Sequence, residues 1–346
     1  MTYKISGTKN DTARIFVVNE TTNTLETQVL VSGTGSYEIT GLVTGRKLIV
    51  ARKPDGKSVA YGYVDALDNS RGLFGGGPSN NAIDYITIST MGNAIDFGDL
   101  TLRRRDLAAC SSSTRGVFGG GVATALSNVL DYITISTVGN AALFGGLTVS
   151  RDLLAACSSS TRGVFGGPTN VIDYITIATT GNAIDFGGLP APRAYLAACS
   201  SSTRGVFGGG HTGVNSNVLD YITIATTGNA IDFGDLTSAR YYIAACSSST
   251  RGVFGGGFSG ANSNVLDYIT ISTTGNASDF GDLTLARYNL AACSSSTRGV
   301  FGPGDGSAVL DYITIATAGN AVGWIGNLVG VGYGSAACSD GHGGLT

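Results

Sequence analysis

Short runs of β-branched, aromatic and small apolar residues alternate with turn residues along most of the chain. The run DYITI begins six times, at Asp84, Asp131, Asp173, Asp220, Asp267 and Asp311. Runs such as LAACSSS, VFGGG and AALFGGLT flank it, and Gly, Asn and Ser separate them. Tyr, Ile, Thr, Val and Phe favour strands, and we find no convincing helical periodicity after Gly72. The pattern predicts a repeat of four short strands.

The spacing of the repeat predicts how its strands assemble. Successive DYITI runs begin 47, 42, 47, 47 and 44 residues apart. A strand-rich repeat of about 40 to 50 residues is typical of a β-propeller. The first repeat begins at Arg71 without an AAC strand, and a spare copy, SAACSDGHGG, lies at residues 335–344. We therefore expect an all-β protein in which residues 68–346 form a six-bladed propeller, closed by the C-terminal strand.

The repeat also resembles a known family. The stretch LAACSSSTRGVFGGG, followed by NVLDYITI and GNAIDFGDL, resembles the kelch repeat over residues 71–346. It departs from kelch repeats where they carry a tryptophan: five repeats have phenylalanine there, and only the last has Trp324. The repeat sequence is even more similar to the near-identical kelch-like repeats of phage structural proteins. That resemblance implies a virion protein, made in the host cytoplasm.

Residues 1–67 do not follow the repeat. They contain the alternating runs ARIFVV, ETQVLV, SYEIT, KLIVAR and VAYGYV, divided by turn residues. We expect a small β-sandwich. Residues 35–56 resemble the carboxypeptidase-regulatory, prealbumin-like module, without a zinc-ligand pattern, and the resemblance implies a connector or docking domain for other virion proteins.

Composition excludes several classes of function. The net charge is −3 and only 13% of residues are charged, so no basic patch predicts nucleic-acid binding. No apolar run reaches the roughly 20 residues of a membrane span, and the N-terminus lacks the apolar core of a signal peptide. We expect neither membrane insertion nor nucleic acid as a partner.

The candidate chemistry is sparse. Each AAC run carries one cysteine, which we interpret as a small buried apolar group that forms no disulfide. His211 and His342 have no Cys or carboxylate nearby at metal or catalytic spacing, and the FGGG runs lack the Lys-Ser/Thr of a phosphate-binding loop. We therefore expect no catalytic residue, no metal and no cofactor.

Two sets of arginines repeat with the strands. One lies in the STRG turn and the other precedes the AAC strand. The sets favour pairs that brace loops or neighbouring blades. The alternative is a ring of arginines that binds an anion on the propeller axis.

The copies differ from each other in two stretches. One lies between the second and third strands, and the other is a residue pair before the inner strand. Both connections emerge on the same face of an up-and-down blade. Tyrosine on loops above a rigid scaffold is typical of recognition surfaces. We expect this face to bind partners through Tyr195, Tyr241, Tyr242, Tyr288 and Tyr333.

The sequence thus predicts a non-enzymatic phage virion protein, present in several copies as a tail, baseplate or head appendage. Its partner would be a host-surface glycan or protein. A bacterial kelch-like protein–protein scaffold is one alternative. A glycan-active propeller enzyme is another, and the lack of clustered Tyr/His ligands or of an acidic cluster in one blade argues against it.

Overall fold

A computed structural model of the chain describes residues 70–345 in full. Of the preceding part it describes four strands, Thr12–Asn19, Thr24–Ser32, Gly45–Arg52 and Ser58–Ala66. The chain divides into two units, Met1–Asn69 and Ser70–Thr346, two residues beyond the predicted boundary.

The four strands of the first unit form one antiparallel sheet. The first strand pairs with the second and the third, and the third pairs with the fourth. Four of the five predicted runs lie in these strands, and the fifth, SYEIT, lies outside the described residues. The second sheet of a sandwich is not among the described strands, so the sandwich stays a prediction.

The second unit is a six-bladed β-propeller, as the repeat predicts. Each blade is a four-stranded antiparallel sheet. From the inner strand outwards, the first blade comprises Ala336–Ser339, Arg71–Gly75, Ala82–Thr87 and Ile95–Asp99. The second comprises Ala108–Ser111, Arg115–Gly119, Val129–Thr134 and Ala142–Gly146. The third comprises Ala155–Ser158, Arg162–Gly166, Val171–Thr176 and Ile184–Gly188.

The remaining blades repeat this order. The fourth comprises Ala197–Ser200, Arg204–Gly208, Val218–Thr223 and Ile231–Asp235. The fifth comprises Ala244–Ser247, Arg251–Gly255, Val265–Thr270 and Ser278–Asp282. The sixth comprises Ala292–Ser294, Arg298–Phe301, Asp311–Thr314 and Val322–Gly323.

The ring closes through its first and last strands. Ala336–Ser339 pairs antiparallel with Arg71–Gly75, with Cys338 opposite Leu73. The predicted closure by the C-terminal strand is therefore confirmed. The outer edges are also covered: the N–H of Gly139 donates to the carbonyl of Phe97, and the N–H of Ala141 to that of Asp99. Bonds of this kind leave less strand edge open to pairing with other chains.

The arginines of the STRG turns brace neighbouring blades. Each guanidinium stacks on the tyrosine of its own DYITI run, 4.2–4.7 Å from the ring centre. It also donates to a backbone carbonyl of the next blade, as Arg162 Nη1 does to Ile224 (2.8 Å). The set completes the circle, because Arg298 of the last blade donates to Ile88 and Ser89 of the first.

The second arginine set forms buried ion pairs. Each arginine binds the aspartate of the following DYITI run, as Arg104 Nη2 binds Asp131 Oδ2 at 2.7 Å; the other pairs are Arg151–Asp173, Arg193–Asp220, Arg240–Asp267 and Arg287–Asp311. Bracing is therefore what both sets do. No arginine lines the axial cavities found among residues 70–345, so the anion ring has no support.

The first blade holds its buried aspartate by other hydrogen bonds. Within residues 70–345 no arginine pairs with its aspartate, Asp84, because Gly332 occupies the aligned position. Instead Asp84 Oδ2 accepts the backbone N–H groups of Val329, Gly330 and Val331 at 2.8–3.1 Å. Three amide donors thus replace one guanidinium.

Candidate binding face

Both variable stretches lie together at one end of the propeller. The residue pair before an inner strand bridges to the loop between the second and third strands of the same blade. The bridges join Arg105 to Val122, Ala194 to His211, and Tyr241 to Phe258. The two variable stretches thus form one surface, as the topology predicts.

A closed ring of backbone hydrogen bonds surrounds the axis at this end. Six equivalent residues, the second of each variable pair, form it; we call them the inner ring: Asp106, Leu153, Tyr195, Tyr242, Asn289 and Gly334. The N–H of each donates to the carbonyl of the preceding member, with N–O distances of 2.7–3.2 Å, and the N–H of Asp106 donates to Gly334. Every blade is therefore tied to the next at the mouth of the axis.

The inner ring holds its backbone in the left-handed region. Its five non-glycine members have φ between 56° and 61°, and Gly334 has φ 66°. This conformation costs a residue with a Cβ about 1 kcal/mol and persists where the surrounding structure enforces it. The closed hydrogen-bond ring supplies that enforcement. The backbone is therefore the same at all six positions, while the side chains differ.

One half of the face is aromatic. Six aromatic rings from the fourth to sixth blades form a connected set of contacts. We call them the aromatic cluster: Tyr195, His211, Tyr241, Tyr242, Phe258 and Tyr288. The centroids of Tyr195 and Tyr242 are 4.1 Å apart, and the other contacts span 5.2–5.8 Å. All six side chains are half-buried, so the rings support each other and still face solvent.

Four of the five predicted tyrosines belong to this cluster. The Tyr288 hydroxyl donates to Asp305 Oδ2, and this bond, with a smaller contribution from burial, raises the pKa of Tyr288. Tyr333, the fifth, lies in the equivalent pair of the first blade and is 37% exposed. No aromatic contact among residues 70–345 includes Tyr333, so it lies outside the aromatic cluster, although its charge contributes to the raised pKa of Tyr288.

The opposite half of the face is polar. Arg105 Nε donates to Asp106 Oδ2 at 3.1 Å. The side chains of Asp106 and Asn289 approach each other across Gly334: a Cβ on Gly334 would lie 3.0 Å from Asp106 Oδ1 and 3.6 Å from Asn289 Nδ2. Burial raises the pKa of Asp106, and the neighbouring Arg105 opposes the rise. Gly334 thus leaves a notch between a carboxylate and an amide.

The inner ring encloses an open concavity on the axis. It holds about 390 Å³ of empty space, counted out to its mouth, and its floor consists of the residues that follow the ring. Leu107, Leu154, Leu196, Ile243 and Leu290 form most of that floor. A small ligand would meet apolar groups below and ring side chains around it.

Three residues of the face were missed by sequence reasoning. Asp106, Asn289 and Gly334 were not candidates, although they belong to the variable pairs that identified the tyrosines. Comparing all six pairs by position, rather than selecting the aromatic ones, would have found them. His211 was considered only as a metal or catalytic candidate, and in the structure its ring centre lies 5.2 Å from that of Tyr241.

Residues 70–345 offer no other type of site. That part of the chain has no group of three or more His, Cys, Asp and Glu residues placed to hold a metal ion, and no helix long and apolar enough to cross a membrane. No protein-family model matches the sequence, and no curated protein is significantly similar to it. The six-bladed propeller itself is compatible with a kelch-like repeat protein.

Proposed function

We propose that this chain is a non-enzymatic recognition protein whose propeller binds a partner with the variable face. The aromatic cluster is the observation that carries the proposal. Six half-buried rings touch each other on loops above a rigid, closed scaffold. Tyrosine supplies a large contact area at a low cost in side-chain entropy, and its hydroxyl adds a polar contact.

The distribution of sequence differences supports the same proposal. The inner strands, the STRG turns and the DYITI runs are nearly identical among blades, and packing accounts for them. The inner ring carries five different residue types at six positions that share one backbone conformation. Packing does not require this variety, because any of these residues completes the backbone ring. Variety at a fixed position is what a specific binding site needs.

The biological setting is proposed from the resemblance to phage repeat proteins. In this proposal the chain is a virion appendage, its N-terminal unit attaches it to other virion proteins, and the propeller contacts the host surface. Several copies per particle would let weak single contacts add through avidity. Mass spectrometry of purified particles tests the setting, since a bacterial kelch-like scaffold would be absent from them.

The binding role is tested by host adsorption of particles that carry Tyr241→Ala with Tyr242→Asn. Asparagine suits the left-handed backbone at position 242, because Asn289 already holds it in the sixth blade. We expect adsorption to fall at least tenfold while the melting temperature of the purified protein holds. Thr226→Ala with Thr227→Ala, exposed on the opposite face, is the control and should adsorb normally. Unchanged adsorption in the tyrosine variant would refute the binding role.

A further inference from the structure

We propose that the concavity inside the inner ring binds one uncharged sugar residue of a surface glycan. The sugar ring would lie on Tyr195 and Tyr242, and its hydroxyls would bond to Asp106 and Asn289. This inference rests on the proposed recognition function and names its ligand class.

The site is asymmetric although the scaffold is nearly sixfold. Going around the inner ring, two aromatic side chains are followed by an amide, no side chain, a carboxylate and an alkyl group; in order these are Tyr195, Tyr242, Asn289, Gly334, Asp106 and Leu153. A chiral ligand with one apolar face and one edge of hydroxyls has the same division. A pyranose is such a ligand.

The aromatic side suits the apolar face of a sugar. Tyr195 and Tyr242 are in contact with each other, and Tyr241 and Tyr288 support them from outside. These contacts fix the rings of Tyr195 and Tyr242 before a ligand binds, which lowers the entropy cost of binding. The negative face of an aromatic ring attracts the weakly positive C–H groups that line one side of a pyranose.

The polar side suits neighbouring hydroxyls. The side chains of Asp106 and Asn289 both lie near the position that a Cβ on Gly334 would occupy. A carboxylate and an amide are therefore within reach of one small ligand. A carboxylate has about four lone-pair positions and an amide both donates and accepts, so the pair can bind adjacent hydroxyls that act as donors and acceptors. Arg105 holds one oxygen of Asp106 at 3.1 Å and so orients the carboxylate.

The shape of the concavity favours a saccharide over a folded protein. Small-molecule sites are concave and combine apolar lining with a few polar groups, as this depression does. The site is a depression encircled by five side chains and Gly334, and a folded partner would have to insert a loop into it. A terminal or branching sugar can enter it through its open mouth.

The chain supplies a matched set of test variants. Because asparagine occupies the inner ring naturally at position 289, the same replacement can be made at three other members: Asp106→Asn, Tyr242→Asn and Gly334→Asn. The first removes the carboxylate and the second removes one of the two aromatic rings. Gly334→Asn removes no ligand group but fills the notch. The control is Thr226→Ala with Thr227→Ala, exposed on the opposite face.

Saturation-transfer NMR on the purified full chain would measure binding. The probes are glucose, galactose, mannose, rhamnose, N-acetylglucosamine and N-acetylgalactosamine, as free sugars and within bacterial lipopolysaccharide oligosaccharides. We expect at least one probe to receive saturation from the protein. Asp106→Asn and Tyr242→Asn should weaken its affinity about tenfold, Gly334→Asn should abolish binding, and the control Thr226→Ala with Thr227→Ala should leave the affinity unchanged.

The outcomes separate this inference from the proposed function. Sugar binding that survives Asp106→Asn, Tyr242→Asn and Gly334→Asn would overturn the site. If no probe binds while adsorption depends on Tyr241 and Tyr242, the recognition function stands, its receptor is a protein, and the saccharide proposal is wrong. If adsorption is also independent of these tyrosines, both proposals fail.

Discussion

The sulfur atom of Cys110 occupies the place that a side chain on Gly163 would need. A Cβ on Gly163 would lie 2.4 Å from Cys110 Sγ, across the interface between the second and third blades. The same relationship joins the other five cysteines to the glycine of the next RG turn, at 2.4–3.0 Å. All six cysteines are buried and free. Burial raises their pKa values, that of Cys157 to about 12. Cysteine and glycine are thus repeated together because they share one packing site.

Gly163→Ala should therefore destabilise the propeller. The added methyl forces Cys110 or a neighbouring strand to move, and overpacking of this kind costs about 1 to 3 kcal/mol. Urea unfolding of the purified protein measures the change in the free energy of unfolding. Gly319→Ala is the control, because its Cβ would meet no atom within 4 Å.

A compensating substitution sharpens this test. Cys110→Ala removes the sulfur that Gly163→Ala would strike, so the double variant should recover at least half of the lost stability. Equal losses in the single variant Gly163→Ala and in the double variant would show that the contact is not the cause.

The buried Arg104–Asp131 ion pair predicts that removing one charge costs more stability than removing both. Asp131→Asn leaves the Arg104 guanidinium buried without a counter-ion and should cost about 3 kcal/mol. Arg104→Met together with Asp131→Asn removes both charges and should cost clearly less. Urea unfolding compares them. Arg105→Met, next in the chain but 47% exposed, should cost under about 1 kcal/mol. A double variant as unstable as Asp131→Asn alone would contradict this account.

Closure of the ring predicts that two C-terminal truncations behave differently. Removing residues 333–346 deletes the inner strand of the first blade and opens the edge of Arg71–Gly75. The melting temperature and resistance to protease should fall sharply. Removing only residues 341–346 keeps that strand and Asp340, whose carboxylate accepts the N–H of Arg71 at 2.8 Å. This shorter truncation should leave the six blades folded. Similar melting temperatures for the two truncations would argue against closure by the last strand.

The fold was predictable because its repeat is nearly exact in sequence. Six DYITI runs and the displaced AAC strand determine the number of blades and the closure, since both follow from counting. The N-terminal part offers no repeat to count, and its predicted sandwich rests on alternating runs and a resemblance.

The binding face was predictable only in outline. Variation among the loops identified the binding face and the four tyrosines that belong to the aromatic cluster. The inner ring was not predictable, because nothing local in Leu153, Tyr195 or Tyr242 favours a left-handed backbone, which usually selects glycine, asparagine or aspartate. Contacts between blades impose that conformation. The notch at Gly334 depends on which blades become neighbours after closure, so it exists only in the assembled ring.

The last residues of the chain carry a role that sequence reasoning did not assign. His342 follows the closing strand and faces the axial cavity, where the serines that end the inner strands form a second ring. In that ring each hydroxyl donates to the carbonyl of the preceding serine at 2.5–2.9 Å; the members are Ser111, Ser158, Ser200, Ser247, Ser294 and Ser339. The Nδ1 of His342 accepts the N–H of Gly344 at 3.1 Å, so Nε2 carries the proton and donates to the Ser111 carbonyl at 3.1 Å.

This environment predicts that His342 makes stability depend on pH. Burial lowers the pKa of His342 to about 4, although the bond to Ser111 opposes the change. Protonation would also place a second N–H against the N–H of Gly344. In the unfolded chain the pKa is about 6.5, so between about pH 6.5 and pH 4 the unfolded state binds the extra proton. The stabilising contribution is therefore complete above pH 6.5 and is lost as the pH falls towards 4.

The loss should amount to about 2 kcal/mol, since the full shift corresponds to about 3 kcal/mol and the ring keeps some exposure to the cavity. Urea unfolding at pH 7 and pH 4.5 measures it. Buried carboxyl groups such as Asp106 also titrate in acid, so the informative quantity is the difference from His342→Asn, which cannot take up this proton. The variant should be less stable than the wild type at pH 7 and should lose less stability at pH 4.5. His211→Asn, on the opposite end of the propeller, should keep the wild-type profile. If His342→Asn loses as much stability in acid as the wild type, His342 does not carry the pH dependence.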